Sequence, residues 1–398
     1  MEIFVQRTSM LNTINFIGGA FRKVGLDPFK LNADKIIRKS VKRTEFKGTV
    51  PESMIVGLKK LLSSIEAESN VNPFGALALK GMLERAVYGR LKIEQVIQDD
   101  PSILQRPIKE PVFIIGMPRT GTTILHALLH QDPAHRSPLA WECLIPHPVA
   151  TVENKDDNPS LDIVEKEFEQ LFKLVPDLQK KHYLEATAPQ ECLGITMFDF
   201  NSFQVLAQVY APSYLEWFMN HSDQLQTLRF HKSFLQYLET GGVTSTRWLL
   251  KTPVHLMRLS ELFEVYPDAK VIMSHRHPEK VVASAASLVS SVRSLYSDHE
   301  SAHRSGKEQA EMWSESFQRF LKIRKEIDKE DQIIDIKFED FVGNQIGMVR
   351  KIYERFNWKL SDEAINNMTN FLNENPKDKH GAHNYCLLYT SPSPRDRG

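Results

Sequence analysis

Two glycines separated by four residues, in Gly116-Met-Pro-Arg-Thr-Gly121-Thr122-Thr123, lie between an apolar run and a helical one. That spacing lets successive backbone N–H groups curl round an anion at a helix N-terminus, where the peptide dipoles also favour negative charge. A loop that hydrolyses nucleoside triphosphates would carry Lys after the second glycine, reaching the β- and γ-phosphates. Here that residue is Thr122, and the cation sits inside the loop at Arg119. The loop is expected to cradle a phosphate without supporting ordinary triphosphate hydrolysis. No evident Mg²⁺-holding Asp follows an apolar strand, which also counts against a small-molecule kinase.

A second basic element, His275-Arg276-His277-Pro278, follows the apolar run 270–274, and Ser284 stands eight residues beyond Arg276. An arginine in a loop and a hydroxyl two turns into the next helix can hold one phosphate from two sides. Arginines at strand ends and serines in helices are common, so this pattern draws its weight from the pairing with the first loop.

Both loops need strands to carry them. Residues 111–115 form a short apolar run bounded by Pro and Gly, the signature of a buried strand, and 124–130 continue as a helix. Three further strand–loop–helix units begin at 247–250, 270–274 and 332–336. The first turns at Lys251-Thr252-Pro253, the second continues helically through residue 291, and the third is followed by Ile346, Val349, Ile352 and Phe356 at helical spacing. Strands alternating with helices predict an α/β fold, a parallel sheet flanked by helices of the phosphate-loop nucleotide-binding type, with ligands at the carboxyl ends of the strands. Residues 1–105 read as a helical N-terminal extension, on the spacing of Met54, Leu58, Leu61, Leu62 and Ile65 and of Leu79, Leu83 and Val87. The α/β domain then spans 106–385, with a helical insertion at about 140–245.

The 398 residues are 41% hydrophobic and 25% charged, the balance of a globular protein, and Lys plus Arg equal Asp plus Glu at 50 each. A net charge of zero argues against a general nucleic-acid or anionic-membrane binder, while leaving room for a local basic pocket. Three cysteines without ligand spacing predict a metal-free protein of a reducing compartment, with the cytoplasm as default, and no apolar run suffices to span a bilayer. The first 25 residues lack a secretory signal and are acid-poor and mildly amphipathic. A helix packed on the domain is the commoner reading there, a transit peptide or surface-lying helix the rarer one. The final Cys386-Leu-Leu-Tyr-Thr-Ser-Pro-Ser-Pro-Arg-Asp396 is what a transposase-type sequencing adapter encodes in translation, so residues 386–398 are read as non-native.

PVFIIGMPRTGTTILHALLHQDP followed by VIMSHRHPEKVVAS resembles the sulfotransferases that use 3′-phosphoadenosine 5′-phosphosulfate. The nearest likeness is to the branch whose loop reads PRTGTT or PRSGTT, which includes tyrosylprotein sulfotransferases, and it extends over residues 51–385. The resemblance implies that Arg119, Thr120, Gly121, Thr122 and Thr123 bind the 5′-phosphosulfate, and that Arg276 and Ser284 bind the 3′-phosphate. It also implies metal-free, in-line transfer of a sulfuryl group to a hydroxyl or amine, releasing 3′-phosphoadenosine 5′-phosphate. The acceptor would be a small molecule, a glycan or a lipid, not a nucleic acid.

Such transfer needs a group to take the acceptor's proton and cations to hold charge on the bridging oxygen. Lys251 lies 25 residues before Arg276, where the tyrosylprotein branch places a transition-state-stabilising Lys, and Arg119 would assist. Two residues compete as base. Glu142 approximates the base of the tyrosylprotein branch. His255 resembles the cytosolic branch's His, with two extra residues separating it from the Lys. An imidazole titrates near neutrality unaided, whereas a carboxylate must be raised by burial, so chemistry favours His255 and local motif favours Glu142. Either residue could equally be a structural hydrogen-bonding group, and Lys251 a cap on a turn.

Phe338 falls where relatives often carry Tyr near the adenine, though plain core packing is the commoner role, and Ile124 stands where cytosolic enzymes have Trp. Lys377, Lys379 and His380 resemble a late basic segment that touches the donor. Phe198, Phe200, Phe203, Tyr210, Tyr214, Trp217 and Phe218 could line an apolar acceptor pocket, yet aromatics at such spacing are more often helix core. A non-catalytic nucleotide-binding protein is the rival from another class, against which Lys251, Glu142 and His255 count.

Overall fold

The structure is a computed structural model that describes residues 7–26, 30–175 and 184–376. Lys377, Lys379, His380 and the 386–398 tail lie outside them. Five parallel strands, β1 (Val112–Gly116), β2 (His135–Arg136), β3 (Arg247–Lys251), β4 (Lys270–His275) and β5 (Ile333–Lys337), form one sheet in the order β2-β3-β1-β4-β5. Four strands fall where the apolar runs put them. The fifth, β2, is two residues long, too short to show a period of two, and it exists through its pairing with β3.

Every residue of β1 is buried, as expected for a central parallel strand covered on both faces. Phe113 and Ile115 face one core cluster, Val112 and Ile114 the other. Helix α1 (Ser9–Lys23) packs through a separate small cluster of Leu11, Val175 and Leu295, while the first cluster unites the sheet with the N-terminal helices α2 (Ala33–Thr44), α3 (Glu52–Glu68) and α4 (Pro73–Asp99). Leu58, Leu79, Leu83, Val87 and Leu91 pack there at 0% exposure, so the extension shares the sheet's main core. The second cluster receives α5 (Thr122–Leu129) through Leu125, Leu128 and Leu129, together with helices Gln345–Arg355 and Asp362–Glu374.

The insertion's aromatics are mostly core. Phe198, Phe200, Phe203, Tyr214 and Phe218 are all buried within the first cluster, and the Tyr214 hydroxyl donates to the Phe200 carbonyl at 2.8 Å. Buried polar groups tie the insertion to α4. Arg90 donates to Asp199 at 3.0 Å and to Glu94 at 2.8 Å, and Asp199 also accepts from Ser53 at 2.6 Å.

His126, His231 and His255 are buried with the apolar groups, and His130 is half-buried. Desolvation pushes His231 down to about 3 and His130 down to about 4, and it holds His126 and His255 well below the ordinary imidazole value. Below about pH 6.5 the unfolded chain takes up protons at these sites that the folded chain refuses. Stability is therefore full above that pH and falls as pH drops toward the folded-state values, by about 1.4 kcal/mol per unit for each group. Thermal melts between pH 7 and 5 should show Tm falling steadily. A flat profile would mean that these imidazoles are protonated inside the fold.

Candidate active site

After β1 the chain builds β2 and β3 on one side and then crosses to build β4 and β5 on the other. The carboxyl end of β1 is thus a topological switch point, where open α/β sheets bind ligands. The loop there is held in an unusual backbone path. Gly116 has φ 146°, Arg119 67° and Gly121 82°. A Cβ on Gly116 would stand 2.6 Å from the Ser274 carbonyl oxygen, and one on Gly121 2.7 Å from the Phe338 ring, so neither position admits a side chain. Thr120 donates its hydroxyl to the Met117 carbonyl at 2.7 Å, and Ser274 on β4 donates to the Thr120 carbonyl at 2.6 Å. Gly121 caps α5 with no side-chain hydrogen bond, so the first-turn N–H groups of Thr122 and Thr123, which have no partner within the helix, are not capped by a side chain.

The two basic motifs meet on this loop. Arg119 Nε donates to Ser284 Oγ at 3.0 Å, and Arg276 Nη1 donates to the Arg119 carbonyl at 2.7 Å. Arg276 also lies 4.2 Å from the centre of the Phe338 ring, and its Nε is buried with no partner among the described residues. Phe338, at the end of β5, therefore forms a wall under the guanidinium and against Gly121. Ile124 packs into the second core cluster.

On the opposite side of β1, β3 delivers Lys251. Its register partner is Ile114, and its side chain is only 4% exposed. Lys251 Nζ lies 3.5 Å from Thr123 Oγ1, at the mouth of the phosphate loop, and pairs with the Glu191 carboxylate. Glu191 is 29% exposed and precedes the short helix Cys192–Thr196. The bridge between Leu139 and Pro189 and the 2.8 Å bond from Gln190 N to the Pro138 carbonyl hold this segment in place. Next to Glu191, burial pushes the Cys192 thiol up to about 12, which keeps it a protonated packing group.

Glu142 sits elsewhere. It is 3% exposed, with Oε1 accepting from Arg136 at 3.0 Å and Oε2 accepting from the Leu139 N–H at 2.9 Å. His255 is also buried, edge-on to Phe113 at 5.2 Å. Burial, then His231 and Arg258, hold its pKa far below the ordinary value. It lines a cavity of about 20 Å³ with Cys192, Thr252 and Arg258. Neither Glu142 nor His255 hydrogen-bonds a described residue of the phosphate loop, whereas Arg119, Thr123, Lys251, Arg276 and Ser284 are joined through it. Sequence reasoning missed Glu191. It lies 60 residues from Lys251, in a segment without periodicity or motif, so nothing local marks it.

Comparison with known proteins decides the family. The model of the sulfotransferase family matches residues 111–362, from β1 to the start of the last described helix. The chain belongs to the sulfotransferase family. Among relatives, the omega-hydroxy-beta-dihydromenaquinone-9 sulfotransferase of Mycobacterium bovis is 25% identical over 288 residues, covering 69% of this chain and 67% of that protein. Among solved structures, a sulfotransferase of Mycobacterium tuberculosis superposes with a TM-score of 0.80 at 28% identity, covering 91% of this chain and 96% of the other. One from Mycobacterium avium gives 0.82 at 27% identity, with coverage of 90% and 92%. This sulfotransferase is a transferase enzyme, and its site must hold a sulfonate donor. Among its described residues no group of three or more His, Cys, Asp or Glu is arranged to hold a metal ion, and no helix is long and apolar enough to cross a membrane.

Proposed function

We propose that the enzyme moves a sulfuryl group from 3′-phosphoadenosine 5′-phosphosulfate to the hydroxyl of a lipophilic acceptor, in line and without a metal, in the cytoplasm. The observation that carries the donor is the convergence of Arg119, Arg276 and Ser284 on one glycine loop, since a donor with two separate phosphate sites needs two anchors. The site suits it. The uncapped first turn of α5 and the side-chain-free cradle at Gly116 and Gly121 match a phosphosulfate, and the buried, unpartnered Nε of Arg276 matches a 3′-phosphate. Phe338 offers an apolar face beside that anchor for the adenine. The donor supplies an activated sulfuryl group whose leaving oxygen belongs to the 5′-phosphate. Lys251 and Arg119 hold the charge that grows on that oxygen, and the open N–H groups of Thr122 and Thr123 hold the sulfuryl oxygens.

Glu191 is the base in this reading. It is the carboxylate that touches Lys251, and it is partly open to an incoming hydroxyl. Glu142 acts one step back as a positioning residue. It grips the Leu139 N–H, and Leu139 bridges to Pro189, two residues before Glu191. His255 packs behind them. The lipid character of the acceptor rests on the mycobacterial relative, whose name specifies a hydroxylated menaquinone.

Calorimetry with 3′-phosphoadenosine 5′-phosphate, adenosine 5′-phosphate and ATP tests the donor. The bisphosphate should bind most tightly, and Arg276→Ala should weaken it by about 10- to 100-fold, the worth of a charge-assisted pair of hydrogen bonds, while leaving adenosine 5′-phosphate little changed. ATP binding equally well, indifferent to Arg276→Ala, would overturn the donor assignment in favour of a kinase.

A further inference from the structure

The net charge of zero hides a strong local imbalance. Residues 7–47 contain ten Lys or Arg and three Asp or Glu, and residues 7–26 contain no acidic residue. Within this segment α1 is docked by one face only. Leu11 is buried beside Val175 and Leu295, the Asn15 side chain accepts from the Phe74 N–H at 2.9 Å, and Arg22 donates to the Val71 carbonyl at 2.7 Å. The other side faces outward with large apolar groups: Met10 is 62% exposed, Phe16 79%, Ile17 50% and Phe21 46%. Met10, Ile17 and Phe21 recur at i, i+7 and i+11, so they form one stripe, and Val24 (71%) and Leu26 (60%) continue it beyond the helix. Scattered exposed apolar residues need no explanation, but six within seventeen residues form a patch.

Next along α4 lies α2, which pairs with it through Lys39 and Glu84 at 2.6 Å and through Arg43 over Tyr88. Lys35, Arg38, Lys39, Lys42 and Arg43 are all exposed on it, while Ile36, Ser40 and Thr44 are buried. An apolar stripe and a cationic helix are thus both carried on α4, α1 at its first turn by Phe74 and α2 further along at Glu84 and Tyr88. We propose that α1 and α2 form a docking surface for an anionic lipid bilayer, with the α1 stripe lying in the headgroup–acyl boundary and the α2 cations on the lipid charges. Fifteen residues with one buried face cannot span a bilayer, so the contact is interfacial. A second copy of the chain fits the same face poorly, because two-fold pairing would oppose two strongly basic segments.

The test is co-sedimentation of the full chain with phosphatidylcholine vesicles, with and without phosphatidylglycerol, alongside light scattering without lipid. The wild type should pellet with the anionic vesicles and be released by salt. Ile17→Glu with Phe21→Glu should lower partitioning by about tenfold or more, since each removes an inserted apolar group and adds a repelled charge. Lys35→Glu with Lys42→Glu should abolish the preference for phosphatidylglycerol. Retained affinity for 3′-phosphoadenosine 5′-phosphate reports that both variants are folded, and this readout is independent of any acceptor. The inference fails if the wild type ignores anionic vesicles, or if the Ile17/Phe21 variant binds them as the wild type does. It also fails if that variant converts a lipid-free dimer to a monomer with vesicle binding unaltered, because the stripe then joins two copies.

Discussion

Lys251→Met is expected to lower kcat by about 10²- to 10³-fold while changing the affinity for 3′-phosphoadenosine 5′-phosphate only a few-fold. The ammonium is at the carboxyl end of β3, almost wholly buried, and 3.5 Å from a hydroxyl of the phosphate loop. In the proposed reaction it meets little charge on the bridging oxygen before transfer and much more as the sulfur–oxygen bond breaks. A group placed this way stabilises the transition state more than the ground state, so its loss appears in kcat. Methionine preserves the apolar stem in the core and removes the cation. Single-turnover rates with saturating donor, together with calorimetry, separate the two effects. A variant with unchanged turnover would leave Lys251 as a structural partner of Glu191.

Glu191→Gln should reduce kcat by about 10²- to 10⁴-fold, the range typical of a lost general base. The amide still accepts a hydrogen bond from Lys251, so the local packing persists and the deficit reflects proton transfer. A series of phenolic acceptors makes the argument specific. As the acceptor hydroxyl becomes more acidic it needs less help to ionise, and the deficit of Glu191→Gln should shrink along the series. A merely structural role would give a constant deficit. Glu142→Gln supplies the contrast. Its amide oxygen can retain the Leu139 contact, and its kcat is expected to stay within about tenfold of wild type with no dependence on acceptor acidity. The reverse pattern, severe for Glu142→Gln and mild for Glu191→Gln, would move the base to Glu142 and make Glu191 the residue that orients Lys251.

The exchange of roles proposed for these two glutamates rests on burial and partners that no motif reports. Glu142 stands where a relative's motif suggested a base, but its two oxygens face Arg136 and a backbone N–H within a closed environment. Glu191 has no motif, yet the path of the chain brings it to Lys251 across 60 residues. The exposed stripe of α1 is a similar case. Its amphipathic pattern was readable, but which apolar residues the domain would cover was not.

What the sequence determined by itself is local. Short apolar runs placed β1, β3, β4 and β5 to within a residue or two, because a strand's inward-facing residues lie in one stretch of chain, and at β1 the flanking proline and glycine mark its ends. The spacing of Gly116 and Gly121 marked an anion loop, because only glycine tolerates the positive φ and close contacts found there. The tertiary structure decided everything that depends on chain path: the two-residue β2, the burial of the insertion's aromatics, the closure of Arg119 on Ser284 and of Arg276 on the loop, and the pairing of Lys251 with Glu191. Those contacts join residues tens to hundreds of positions apart. Their energies come from desolvation and charge in a shared interior, which a segment's own periodicity does not encode.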